Sequence, residues 1–272
     1  VAVSSTAFAG MLAAHTVRFR LSWSRAGILL THLGLVVMLV SEAVTGMFAV
    51  EGNMTILPGR SADYLEHEDQ VELAVIAESD PVFDEVTVIP RKLLARGGRI
   101  RDSRLPFDVL VDRYMANSDI LEDPSGPRAE VREEVSGTDP ARPVNLASAY
   151  LKLEGKGELE PDACLVSQWF TRPQKVRAGG REYRLELRFA RSYKPYTFHL
   201  LEFRHDRYLG SEIPKNFSSR VRLVDPGRGV DREVLIYMNH PLRHAGETFY
   251  QSAFKPDEGG TILQVVRNPG WL

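Results

Sequence analysis

Of the residues in this 272-residue chain that could do chemistry, His32 is the most exceptional in its setting, because it lies inside the run Ala26 to Val50, whose one other ionisable member is Glu42. An ionisable side chain inside a membrane span is costly and faces a protein interior, a cavity or a cofactor. A neutral imidazole is also a common axial ligand to haem iron. Two readings stand open at this point: an iron ligand, or a neutral His near a helix end that hydrogen-bonds a neighbouring helix. Glu42 is ten residues on, about 15 Å further along a helix axis, and is too distant to share a ligand with His32. It reads either as an anion near the outer interface or as part of a proton relay.

The remaining candidates are weaker. His240 and His244 have i, i+4 spacing, but Pro241 sits between them and no HExxH pattern follows, so a tight loop suits the segment better than a metal-binding helix face. His199 shares a strand face with Thr197 and Leu201, and reads as packed or surface-exposed. Cys164, the single cysteine, cannot form an intrachain disulfide or a CxxCH haem-attachment site; beside Leu165 and Val166 it reads as a buried, inert thiol. There is no GxSxG elbow, P-loop or dinucleotide fingerprint, so no catalytic residue is assigned. Arg and Lys are spread along strands without clustered aromatics, which gives no basis for nucleic-acid binding.

These residues must be positioned by two kinds of element. Ala26 to Val50 would extend about 37 Å as a helix, enough to cross a hydrocarbon layer of about 30 Å. It is too long for a usual signal-peptide core, and its basic flank lies well inside the chain. The formal net charge of -2 conceals an uneven distribution: residues 1–50 hold Arg18, Arg20 and Arg25 against Glu42 alone, and the rest leans acidic. Arginines before the span place residues 1–25 in the cytoplasm, as a stub or the tail of an earlier span, and residues 51–272 outside it. The expected setting is a bacterial inner membrane, with the outer part periplasmic or extracytoplasmic. The Val at position 1 leads us to expect a fragment of a longer chain.

Beyond residue 60 the period is two. Tyr183, Leu185, Leu187 and Phe189 alternate with Arg184, Glu186 and Arg188, and Val221 and Leu223 with Arg220 and Arg222. About ten strands follow from such patterns, separated by glycine turns, which predicts a mainly β fold: an antiparallel β-sandwich or irregular barrel preceded by one transmembrane helix. A short helix is expected at Ala62 to Gln70, and a mobile or disordered insertion at 115–145, where Pro, Gly and acidic residues lack apolar period.

The runs Tyr208 to Ser219 (YLGSEIPKNFSS), Tyr237 to Leu242 (YMNHPL) and Gly246 to Phe254 (GETFYQSAF), with Asn268 to Trp271 at the end, resemble the ResB family of cytochrome c biogenesis proteins. The resemblance covers most of residues 26–272 and is weakest at 115–145. It implies a membrane subunit that works with a CcsA/ResC-type partner to deliver haem across the bilayer and support its attachment to apocytochrome c. The tryptophan-rich haem-handling segment belongs to that partner, since Trp23, Trp169 and Trp271 are isolated here. In the family a histidine of the span before the outer domain is a proposed haem ligand, and His32 occupies the matching place. Asn239, His240, Pro241, Leu242, Gly246, Tyr250 and Gln251 then form either a partner-docking motif or turn and packing elements. The competing reading is a membrane-anchored binding or scaffold module with no cofactor of its own.

Overall fold

The computed structural model describes residues 10, 26–77, 84–124, 126–135, 144–155, 159–207, 214–255 and 259–268. The expectations for residues 1–25, for Tyr208 to Ile213 and for Pro269 to Trp271 lie outside these, apart from Gly10. Helix α1 (Ala26–Phe48) is followed by β1 (Val50–Ile56), β2 (Ser61–Ala77), β3 (Glu85–Pro90), α2 (Arg91–Arg96), β4 (Gly98–Ile100) and β5 (Phe107–Met115). Next come β6 (Ser118–Asp123), β7 (Gly126–Val131), β8 (Ser148–Gly155), β9 (Leu159–Glu160), β10 (Ala163–Ser167) and β11 (Gln174–Ala178). The chain continues with β12 (Arg181–Arg207), β13 (Pro214–Asp225), β14 (Val230–Tyr237), β15 (Leu242–His244), β16 (Glu247–Lys255) and β17 (Gly260–Arg267). Strands make up 64% of the structure, so the expected mainly β class holds.

Helix α1 is predominantly apolar, with a mean hydropathy of 1.9, and none of its residues is buried. A soluble helix would hide such a surface, so its length and composition suit a bilayer. One residue, Ala49, joins it to β1, and the Ala49 amide still donates to Thr45 O at 2.8 Å.

The chain forms two compact units, where the sequence suggested one outer domain. The first contains residues 1–63 and 195–272. Its strands run in the order β14-β13-β12-β2-β1-β17-β16-β15, with β2 and β12 contributing Ser61–Asp63 and Pro195–Arg207. Strands β14 and β15, at the two ends of this order, touch, and β16 reaches β13 and β14, so the sheet curls back on itself like an irregular barrel. Inside it Phe198, Phe249, Leu223, Ile236, Leu263 and Met54 are fully buried, and the Phe198 and Phe249 rings lie 4.7 Å apart.

The second unit, residues 64–194, is a sandwich. Val71, Leu73 and Val75 of β2, Ile89 of β3 and Tyr183, Leu185 and Leu187 of β12 face Val109 and Val111 of β5, Leu151 and Leu153 of β8 and Val166 of β10 across one core. The edge-to-face contact of Phe107 with Tyr183, 5.4 Å between centroids, joins the two layers.

Two expectations are corrected here. Ala62 to Gln70 is strand, part of β2, and no helix forms. Ala, Leu, Glu and Gln there favour a helix, but tertiary pairing overrides propensity: Glu66 pairs with Arg191 at 3.0 Å, and His67 Nε2 lies 2.7 Å from Ser192 Oγ. The stretch 115–145 is not a disordered insertion in its described part. Strands β6 and β7 form an antiparallel hairpin pairing Ser118 with Val131 through Asp123 with Gly126. Side chains replace the missing apolar period: Asn117 Nδ2 donates to Glu133 O at 2.7 Å, Asn145 exchanges hydrogen bonds with the Val135 backbone at 2.8 and 2.9 Å, and Trp169 Nε1 donates to Ser118 O at 2.7 Å. Residues 136–143 lie outside the described set.

Candidate functional site

Helix α1 carries His32 one residue after Thr31, whose hydroxyl returns to Gly27 O at 3.0 Å and so adds no polar surface to the helix. The imidazole is half-buried, with Ile28 and Leu35, its i-4 and i+3 neighbours, 54% and 42% exposed. His32 thus presents one imidazole among the apolar side chains of the helix. Among the described residues no group of three or more His, Cys, Asp or Glu gathers to hold a metal ion. Such a surface suits a porphyrin, which needs one or two axial ligands and an apolar bed, better than it suits a bare cation.

The second group of expected residues lies in the barrel unit, far along the sequence from His32. Between β14 and β15 the chain turns through Met238 and Asn239, with Tyr237 and His240 bridging each other: His240 N donates to Tyr237 O at 2.9 Å and Tyr237 N to His240 O at 3.4 Å. Asn239 takes a φ of 63°, a conformation that Asn tolerates better than most residues. The His240 ring stacks on Tyr237, 4.1 Å between centroids and 15° between planes, and its Nδ1 lies 3.4 Å from Met238 O. Pro241 follows, and Leu242 returns to the core at 6% exposure.

Strands β15 and β16 join through Ala245 and Gly246, with φ of 53° and 78°. Positive φ at both central residues is the signature of a type I′ hairpin, for which Gly246 is suited and Ala245 is not. Along β16, Tyr250 points outward, 42% exposed, and pairs with Gln264 of β17 in register. Gln251 turns inward at a bulge. Its Oε1 accepts from Ser219 Oγ at 2.5 Å, and its Nε2 donates to Ala253 O and to Thr261 Oγ1, both at 3.0 Å. Ser219 and Thr261 are fully buried and Ser219 Oγ also lies 2.8 Å from Thr261 Oγ1, so the amide completes a three-residue polar network in the barrel interior.

A polar cluster that the sequence reading missed stands at the end of the barrel where α1 enters. Val50 pairs with Arg267, and the next pairs along are Glu51 with Val266 and Thr248 with Val266. Glu247 and its partner His244 therefore sit at that same end. His244 Nε2 lies 2.8 Å from Asp225 Oδ2, and Arg228 donates to the same carboxylate through its guanidinium and its backbone amide, each at 3.1 Å. The Tyr196 hydroxyl donates to Glu247 Oε2, and its ring meets that of His244 edge-on at 5.2 Å. Asp225 is fully enclosed and Glu247 is 7% exposed. Burial alone would push the Asp225 carboxyl up, but donors from His244 and Arg228 outweigh it and hold it below the ordinary range. Burial, and then the bond to Glu247, push the Tyr196 phenol well above its ordinary value.

One signal for this cluster was present in the sequence. Asp225 before Pro226 caps the short 3₁₀ turn Pro226–Arg228, accepting from Arg228 N. Tyr196 and Glu247 had none, since their meeting depends on which strands pair. Cys164 is half-buried against the sandwich core, and burial pushes its thiol up to about 11.

The described residues thus form a mainly β protein whose first helix is long and apolar enough to cross a membrane and joins through one residue to a curled antiparallel sheet. The chain belongs to the ResB-like family, whose model matches residues 11–84 and 170–269, more than half of its length. Protein NrfI of Wolinella succinogenes is 41% identical to it over 76 residues, which are 28% of this chain and 8% of NrfI. The match thus spans less than a tenth of that relative. The family match covers α1 and nearly all of the barrel unit, and leaves out residues 85–169, which build the β4-β5-β8-β10 layer of the sandwich and the β6-β7 hairpin.

Proposed function

We propose that this chain is part of a membrane protein of cytochrome c biogenesis which, with a CcsA/ResC-type partner, brings haem across the bacterial inner membrane and supports its attachment to apocytochrome c. The observation that carries this reading is the ResB-like match over both the helix and the barrel unit. Haem is cargo here, supplying an iron that accepts axial nitrogens and vinyl groups to which cysteine thiols add.

The chain's own part follows from its residues. His32 offers one axial nitrogen from within the span, and the surrounding apolar side chains of α1 exclude water from it. The arginines ahead of the helix orient it so that the β units face the extracytoplasmic side. The barrel unit presents the turns at Asn239 and Gly246, with the outward Tyr250, to the partner or to apocytochrome c. A second axial ligand comes from the partner or from another span.

The test is the haem content of the full-length protein purified with its partner. The wild type is expected to show a Soret band that weakens in His32→Ala and recovers when imidazole is added. Unchanged haem content in His32→Ala would remove His32 from the mechanism. Normal cytochrome maturation in that variant, with partner capture lost when the Asn239 turn is altered, would favour the scaffold reading instead.

A further inference from the structure

The histidines of the described residues differ in what holds their ring nitrogens. His67 Nε2 meets Ser192 Oγ at 2.7 Å, His199 Nδ1 meets Ser61 Oγ at 2.5 Å, and His244 Nε2 meets Asp225 at 2.8 Å. His205 packs in a three-ring cluster with Phe217 and Phe254, 4.7 and 4.5 Å from their centroids, and its Nε2 is buried. His240 is arranged differently. It is exposed, its ring is fixed against Tyr237, and its Nδ1 faces a main-chain carbonyl, Met238 O, at 3.4 Å.

Met238 O can only accept, so a hydrogen bond across this 3.4 Å contact requires the proton on Nδ1. With Nδ1–H donating to a carbonyl, the neutral ring carries its lone pair on Nε2. The same arrangement, one nitrogen tied to a protein acceptor and the other left open, is how proteins orient an imidazole towards a metal. Here the open nitrogen faces solvent, because the residue is exposed and no protein hydrogen bond to Nε2 exists among the described residues. Stacking on Tyr237 limits ring rotation, so less rotational freedom is lost on ligation. Exposed apolar surface lies alongside. Met238 in the turn is 43% exposed, and Leu235, on the same strand face as Tyr237, is 53% exposed. A bare divalent ion would need further ligands that the turn does not supply, whereas haem iron needs one nitrogen and apolar contact for its ring.

We propose that His240 Nε2 is a solvent-facing axial ligand with which the barrel unit takes hold of haem iron. This deepens the haem-delivery reading and rests on it. The step is a ligand exchange. The Nε2 lone pair forms a bond to iron as a water or a departing axial ligand leaves, with no change in oxidation state and no proton moved. His32 within the span and His240 on the outer unit are then two separate points of contact with the same cargo.

The experiment is a titration of the purified full-length protein with iron(III) protoporphyrin IX, followed by the Soret band, for wild type, His32→Ala, His240→Ala and His240→Ala with added imidazole. His240→Ala is expected to weaken one binding phase by about tenfold, to leave the melting curve unchanged and to recover with imidazole. His32→Ala is expected to keep the His240 phase. A His240→Ala titration identical to the wild type, with His32→Ala still losing haem, overturns this inference and leaves the proposed function intact. The opposite pattern removes His32 as a ligand while keeping His240. Binding that no variant alters, or no binding at all, overturns both.

Discussion

His244 Nε2 stands 2.8 Å from Asp225 Oδ2, and that carboxylate is closed off from solvent. Nineteen residues apart in sequence, the two tie the β15-β16 hairpin to the turn after β13. With Tyr196 and Glu247 beside them they close the end of the barrel from which α1 emerges.

This cluster makes stability depend on acid. The folded Asp225 carboxyl titrates below its unfolded value of about 3.9, so its contribution is fully present above that value and is lost as pH falls through the lower folded one. Melting temperatures measured from about pH 5 to about pH 3 should therefore fall less steeply for Asp225→Asn, from a lower starting point. His244→Ala removes one of the donors and should move the acid limb upward in pH. An acid limb that is the same in wild type and Asp225→Asn would show that the cluster does not set it.

In the sandwich unit, Arg188 Nε donates to Glu72 Oε1 at 2.9 Å with both side chains 7% exposed. Removing one partner of such a pair leaves a buried charge, so Glu72→Leu is expected to cost about 3–5 kcal/mol. The double variant Glu72→Leu, Arg188→Met should recover most of that loss, read by urea unfolding of the four combinations. A double variant no more stable than Glu72→Leu would mean that the pair matters through its geometry rather than its charge balance.

The β15-β16 hairpin should be open to improvement. Ala245 holds a φ of 53° that suits Asn, and Asn-Gly is the favoured pair for this turn. Ala245→Asn is expected to stabilise the protein by about 1 kcal/mol, and Gly246→Val to destabilise it. A lower melting temperature for Ala245→Asn would contradict the turn assignment.

Much of this fold was legible because burial on one face of a strand writes itself as alternation. Tyr183, Leu185 and Leu187 all face the sandwich core as their spacing required. Residues 62–70 were misread because Ala, Leu, Glu and Gln carry helical propensity locally, while Arg191 and Ser192, more than 120 residues away, supply the partners that make them strand. The β6-β7 hairpin was invisible for a related reason. It is held by Asn117, Asn145 and Trp169 side chains bonded to backbone, and such bonds leave no period in a sequence. At the candidate site, the turns at Asn239 and Gly246 were readable from residue type. The convergence of Tyr196, Asp225, His244 and Glu247 was not, because it needs the register of four strands to be known first.

The junction at Ala49 has a mechanical consequence. The amide of that one linking residue is still bonded within the helix to Thr45 O, and the next residue, Val50, is already paired with Arg267. There is no slack in which a rotation of α1 could be absorbed. Turning the helix by one residue's worth, about 100°, would have to twist β1 and drag β17 with it. The helix that bears His32 and the barrel that bears His240 are thus joined directly, with a single residue between the last helical turn and the first paired strand.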